Sequence, residues 1–216
     1  DFLHLSRDVD TLVRGRADYL HIDVMDGHYV PNFTLGVDFC RALAGHAPGV
    51  PLDIHLMIEN VDAYVPQFAC FRNAMVSFHP ETSQHPVRTL QLIRRHGARA
   101  GIGIDPGMSF ETVRELLPEC DMICVMTVSP GYAGQPLIPH TLDKMRRIAD
   151  YIREQRLPIE SEVDGNVSWQ HLTSMIRAGA QTFVAGSSSL FEKSGALARN
   201  IRRFRAICDT TTREAL

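Results

Sequence analysis

The sequence predicts a (β/α)8 barrel, the TIM-barrel fold, with its first strand placed before Asp1. Three observations carry this. Short apolar runs alternate with segments of helical period. The runs start about 20 to 40 residues apart, the length of a βα unit. Polar residues cluster at the ends of the runs, where such barrels build their sites.

The elements follow in order. The chain opens on a helix, with Leu3, Leu5, Val9, Leu12 and Val13 on one stripe. Apolar runs occupy residues 19–25, 52–58, 75–79, 100–104, 122–128, 159–163 and 182–185. Several are rich in Val and Ile, as strands covered on both faces are. Between them, Val61, Tyr64, Val65 and Phe68 share a helical face, as do Val87, Leu90 and Ile93 with Leu92 beside them. Leu142, Met145, Ile148, Ala149 and Ile152 form a longer stripe, and Trp169, Leu172, Met175 and Ile176 another. Residues 130–136 carry too much Gly and Pro for a helix. No linker, low-complexity tract or charge block interrupts the beat, so residues 1–216 read as one domain.

Seven runs are visible, and a helix precedes them all. A βα barrel begins with a strand, so the first strand is expected upstream of Asp1. The alternative is a seven-stranded open sheet. Dinucleotide and P-loop signatures are missing: Gly101-Ile102-Gly103 is followed by Asp105-Pro106-Gly107, which breaks the required spacing.

Composition narrows the function. The 216 residues are 44% hydrophobic and 22% charged, ordinary for a globular protein. A net charge of -3 argues against nucleic acid as a partner, because phosphate tracks need a basic face. No run of about 18 apolar residues exists, so no membrane span is expected. The first ten residues carry charges where a signal peptide needs an apolar stretch. The five cysteines, Cys40, Cys70, Cys120, Cys124 and Cys208, form no CxxC pair. They read as buried reduced thiols of a cytoplasmic protein.

The chemical signal lies in three runs. Strand residues two apart share a face. His21, Asp23 and Met25 therefore point one way, and Asp53, His55 and Met57 share a face on the next run. A His and an Asp turned together into a barrel are costly unless they bind something or bond each other. Residues 160–165 then end on Asp164. Two His and two Asp on three strands make a credible N2O2 metal set. Two carboxylates on facing walls also suit proton transfer to opposite faces of one carbon, with a metal steadying an enediolate.

Phosphate binding needs backbone N–H donors that glycine leaves accessible. Gly131 to Gly134, Gly165-Asn166 and Gly186-Ser187-Ser188 qualify, with plain turns as the alternative. His79-Pro80-Glu81 fits either a role behind the site or a structural one. His4, His46, His85, His96, His140 and His171 fall in helices or loops and read as solvated. Met25, Met57 and Met126 sit near strand ends, where core packing is the default.

At this point the motifs resemble a known family. Residues 21–32 (HIDVMDGHYVPN), 53–57 (DIHLM), 78–81 (FHPE), 128–135 (VSPGYAGQ), 162–165 (EVDG) and 183–187 (FVAGS) are similar, in order, to ribulose-phosphate 3-epimerases. The resemblance runs from Asp1 to about Phe191. It implies a barrel that binds one divalent metal, zinc, iron, manganese or cobalt. The implied ligands are His21, Asp23, His55 and Asp164, with Asp23 and Asp164 also the acid and base. Met25, Met57 and Met126 would line the reacting centre. Gly134, Gly165, Gly186 and Ser187 would hold the phosphate. The implied reaction is C3 epimerisation of D-ribulose 5-phosphate to D-xylulose 5-phosphate, in a homo-oligomer without nucleic-acid or membrane partners.

There are departures. Family members usually carry a substrate-contacting serine on a first strand, at a position that would fall before Asp1, and these residues do not include it. Asn166 stands where a second glycine is usual, Ala133 where a glycine is, and Thr127 where a serine is. Residues 126–128, 133–136 and 189–191 are nearer the allulose-6-phosphate 3-epimerase branch, which performs the same chemistry toward D-fructose 6-phosphate; residues 89–93 are nearer the pentulose branch. A sugar-phosphate-binding barrel without catalysis and a metal-dependent hydrolase are the readings from other classes.

Overall fold

The structure, a computed structural model, describes residues 2–193 and 195–215. All seven runs are strands: β1 (Leu20–Met25), β2 (Leu52–Met57), β3 (Met75–Phe78), β4 (Arg99–Ile104), β5 (Met122–Met126), β6 (Glu160–Asp164) and β7 (Thr182–Phe183). Every pairing is parallel, and the spatial order follows the chain order from β1 to β7. A doubly wound sheet reverses its order at a switch point. This sheet never reverses.

The sheet is strongly curled. Five strand spacings separate β1 from β6, about 24 Å in a flat sheet. Yet side chains of the two strands converge, with ligand atoms of His21, Asp23 and Asp164 within 4.8 Å of one another. At the opposite end, Arg99 on β4 reaches Tyr19 beside β1 at 2.6 Å and Glu160 on β6 at 3.1 Å. This is (β/α)8-barrel architecture. β1 and β7 are the sheet's edges among the described residues.

The helices are α1 (Leu5–Arg14), α2 (Val37–His46), α3 (Val65–Phe68), α4 (Pro86–Arg95), α5 (His140–Gln155), α6 (Leu172–Arg177) and α7 (Leu197–Ala215). Only 3-10 turns, Phe110–Thr112 and Arg114–Glu119, link β4 to β5, and Pro118 sits within the second. Outward strand residues such as Ile22, Val24, Ile54, Leu56, Ile102, Ile104 and Val125 form one apolar cluster with the helices. The inward residues are a second, polar layer that includes Asp53, His55, Ser77 and Glu162, all buried. None of the described helices is long and apolar enough to cross a membrane.

Several expectations need correcting. The stripe from Val61 to Phe68 breaks into a 3-10 turn and one helical turn, and Tyr64 is exposed. In α4 the inward place goes to Thr89, which donates to Asp62, while Val87 stays exposed. In α1, Val9 is the residue fully buried, and Leu3, in the preceding turn, is 90% exposed. Trp169 lies before α6, stacked by Arg203 and edge-on to Phe204. Cys40, Cys120 and Cys124 are buried as expected, but Cys70 is exposed and Cys208 half-buried; all five are free thiols.

Candidate active site

Alternation along β1 turns Leu20, Ile22 and Val24 to the helices and His21, Asp23 and Met25 to the interior. Register then builds layers. His21 lies beside Asp53, Asp23 beside His55, and Met25 beside Met57. Across the interior, Glu162 lies beside Cys124, and Asp164 beside Met126.

The four residues expected to act together do converge: His21, Asp23, His55 and Asp164 offer ligand atoms all within 4.8 Å of one another. His21 Nε2 lies 3.2 Å from Asp23 Oδ1. His55 Nδ1 lies 3.5 Å from Asp23 Oδ1 and 3.8 Å from Asp164 Oδ2. His55 is fully buried, and its Nδ1 has no hydrogen-bond partner. An orphaned buried nitrogen facing two carboxylates is costly as it stands. A divalent cation among these atoms would complete it, and two imidazoles with two carboxylates suit the borderline divalent metals. The residues therefore fit a metal.

The two aspartates are pushed apart electrostatically. Burial raises the Asp23 carboxyl, but the adjoining His21 and His55 outweigh it and hold Asp23 far below the ordinary carboxylate range. Burial and the nearby Asp23 charge push Asp164 up to about 6. Below them, burial and Asp53 raise Glu162 well above its usual range. Burial opposes the charged form of His21, yet Asp53 and Asp23 raise it well above the usual value. Two carboxyls of unlike proton affinity around one point can pass a proton each way.

Met57 and Met126 are buried beside the set and Met25 is half-buried above it. The glycines divide. Gly131, with φ +115°, carries Val30 against its α-carbon and accepts from the Asn32 side chain at 2.8 Å. That contact gives Gly131 a packing reason of its own. Gly165, with φ +103°, directly follows Asp164 and lies against Val128, and Asn166 Nδ2 donates to Gln135 O at 2.7 Å. The loops holding Gly134 and Gly165 are thus tied together. Gly186 and Ser187 follow β7, the neighbour of β6, with open space at the Gly186 α-carbon.

Of the histidines discounted from the sequence, His4, His46, His85, His96 and His140 are exposed and His171 is half-buried. His79 is different. It is fully buried, and its Nε2 meets His55 Nε2 at 2.9 Å. Asp53, seen as sharing the His55 face, bonds His21 Nδ1 at 2.6 Å. Glu162 is a further buried carboxyl facing the interior. Its signal was two residues of spacing from Asp164, which places it on the same face.

A curled parallel sheet with a convergent His–Asp cluster contributed by β1, β2 and β6 defines a barrel of the enzyme type. Comparison with known proteins makes this specific. The chain belongs to the ribulose-phosphate 3-epimerase family, whose model matches residues 1–191. It is 41% identical over 188 residues to the ribulose-phosphate 3-epimerase of Serratia marcescens, covering 87% of this chain and 90% of that one. The Escherichia coli K12 protein of the same name is also 41% identical, with 87% and 84% covered. Among solved structures, KGPDC from Streptococcus mutans superposes with a TM-score of 0.67 at 11% identity, over 96% of this chain and 93% of that one. The 3-hexulose-6-phosphate synthase of Salmonella typhimurium gives 0.67 at 15%, over the same shares. These two share the fold.

Proposed function

We propose that the protein is a metal-dependent ketose-phosphate 3-epimerase that interconverts D-ribulose 5-phosphate and D-xylulose 5-phosphate. The observation that carries this is the approach of Asp23, from β1, and Asp164, from β6, to the same nitrogen of His55. The names of the relatives support the five-carbon substrate.

His21, Asp23, His55 and Asp164 would hold one divalent cation, zinc, iron, manganese or cobalt. Bound there, a cation supplies Lewis-acid stabilisation of negative charge on substrate oxygens. The protein's own residues move the proton. In one direction the ionised Asp23 carboxylate takes the C3 proton, and Asp164, held protonated more readily, gives one to the opposite face. In the other direction the roles exchange. Met25, Met57 and Met126 exclude water from the reacting carbon. The loops of Gly134, Gly165 and Gly186-Ser187 would take the phosphate through backbone N–H groups.

The test is exchange of the C3 hydrogen with D2O, read by NMR. Asp23→Asn and Asp164→Asn should each slow it by about 100-fold or more. Wild-type exchange in both variants would overturn the mechanism. Running D-allulose 6-phosphate in parallel checks the sugar: faster turnover of the six-carbon substrate would overturn the pentulose assignment.

A further inference from the structure

Two buried groups behind the four-residue set have no part in the proton transfer. They are Asp53, 2% exposed, and His79, fully buried. Each touches one of the two histidines, and each touches a different ring nitrogen.

Register stands Asp53 beside His21. Asp53 Oδ2 lies 2.6 Å from His21 Nδ1. A carboxylate only accepts, so Nδ1 carries the hydrogen. Nε2, which faces Asp23 at 3.2 Å, is then the nitrogen that gives up its hydrogen and offers its lone pair when a cation binds. His55 is arranged the other way round. Its Nδ1 faces Asp23 and Asp164, and its Nε2 meets His79 Nε2 at 2.9 Å. The two rings lie 25° from parallel with centroids 5.0 Å apart, meeting edge to edge through nitrogen. Gly103 makes room for this: a Cβ there would sit 3.0 Å from His55 Nε2 and 3.2 Å from His79 Nε2. His79 is itself confined. Tyr29 packs 4.9 Å from its ring, and Glu81, which accepts from the Tyr29 hydroxyl, lies 3.7 Å from its Nδ1.

An imidazole has two nitrogens, and only the one without a hydrogen can ligate. The hydrogen bond made by the other decides which that is. We propose that Asp53 and His79 are positioning residues that select the ligating nitrogen of each histidine, Nε2 for His21 and Nδ1 for His55. The two partners are unequal. Asp53 offers a full negative charge and strengthens His21 as a donor. His79 offers a ring nitrogen and fixes mainly the orientation of His55. The inference rests on the metal reading of the preceding section.

The test uses chelator-stripped full-length protein titrated with Co2+, followed by the visible absorption of the bound ion. Wild type should bind one Co2+. Asp53→Leu and His79→Phe keep bulk and remove the acceptor, and each should weaken Co2+ binding by about 10- to 100-fold. Asp53→Asn and His79→Gln keep an acceptor oxygen and should recover most of that loss. In wild type loaded with diamagnetic Zn2+, 15N NMR of the histidine rings should show hydrogen on Nδ1 of His21 and on Nε2 of His55, a readout that holds even where a variant misfolds. The opposite tautomers would overturn the proposal. So would Asp53→Leu and His79→Phe that bind Co2+ as wild type does and merely melt earlier. Two Co2+ per chain would make Asp53 and Glu162 ligands of a second ion and also overturn it. A wild-type protein that takes up no Co2+ at all would instead overturn the metal reading itself.

Discussion

Replacing Gly165 by Ala tests how the backbone beside Asp164 is held. Gly165 has φ +103°, and a Cβ added there would lie 2.6 Å from Val128 Cγ2, 2.9 Å from the Val128 backbone nitrogen and 3.1 Å from Thr127 Oγ1. Carbon contacts are comfortable at about 3.5 to 4 Å, so all three overlap. The Val128 methyl can swing aside, but its nitrogen cannot. Thr127 N donates to Asp164 O at 2.7 Å and locks the two strand ends together. The backbone conformation costs an L residue about 1 to 2 kcal/mol, and overpacking adds about 1 to 3 kcal/mol. Stiffening of the unfolded chain returns about 0.4 to 1 kcal/mol. The net loss is about 1 to 5 kcal/mol, which lowers Tm by about 2 to 20 °C in a chain of this size. Gly134→Ala is the control, because Gly134 has φ +82° and open space around its α-carbon. It carries the conformational cost alone and should lose no more than about 2 kcal/mol. Calorimetry on both variants decides. Equal melting temperatures would refute the argument that contact with Val128, rather than φ, sets the need for glycine.

Three further outcomes follow from the same structure. Chelation should abolish epimerisation and lower Tm, since a cation at 100 times its Kd stabilises the fold by about 2.7 kcal/mol; scanning fluorimetry before and after re-addition of Zn2+, Mn2+, Fe2+ or Co2+ checks it, and an unchanged Tm would count against the site. Asp26 accepts from the backbone N–H of His28 at 2.8 Å, Tyr29 at 3.1 Å and Glu59 at 2.8 Å. Burial raises its carboxyl, but these bonds prevail and hold it below the ordinary value. The stabilisation is therefore complete above the unfolded value of about 3.9 and lost as pH falls through the lower folded value. Asp26→Ala should be less stable than wild type at neutral pH, with the gap closing below about pH 3.9 in denaturant titrations. Ile54, fully buried on the helix-facing side of β2, should cost about 2 to 5 kcal/mol when cut to Ala, read by urea unfolding.

The strands were legible because both faces of a parallel strand are covered, which leaves a compact apolar run. Edges blurred by one or two residues: the run 122–128 ends as a strand at Met126, after which Thr127 bonds back to Asp164 and Gly165. Helical faces were less legible where a polar residue had a buried partner. Thr89 is the case in point. Asp62 and Ser83 bond its hydroxyl, so this polar residue sits inside, while Val87, expected on the inner stripe, goes to solvent. Hydrophobic period ranks residues by their own solubility and cannot see a partner 27 positions away.

The site divides along the same line. His21, Asp23 and His55 were legible because alternation alone puts them on an inward face, and Asp164 because it ends a run. What alternation cannot supply is stagger between strands. The pairing of His21 with Asp53 and of Asp23 with His55 depends on the register of β1 against β2. Slide β2 by two residues and the inward face survives, but His55 would lie beside His21, like facing like with no carboxylate between. Asp53 would then be a buried charge without its imidazole, a penalty of several kcal/mol. The same aspartate that makes the interior expensive in the wrong register is held by a short bond in the right one. The buried polar layer therefore does more than serve chemistry: it penalises the register that would dismantle the four-residue set, and so ties the alignment of β1 and β2 to the site they carry.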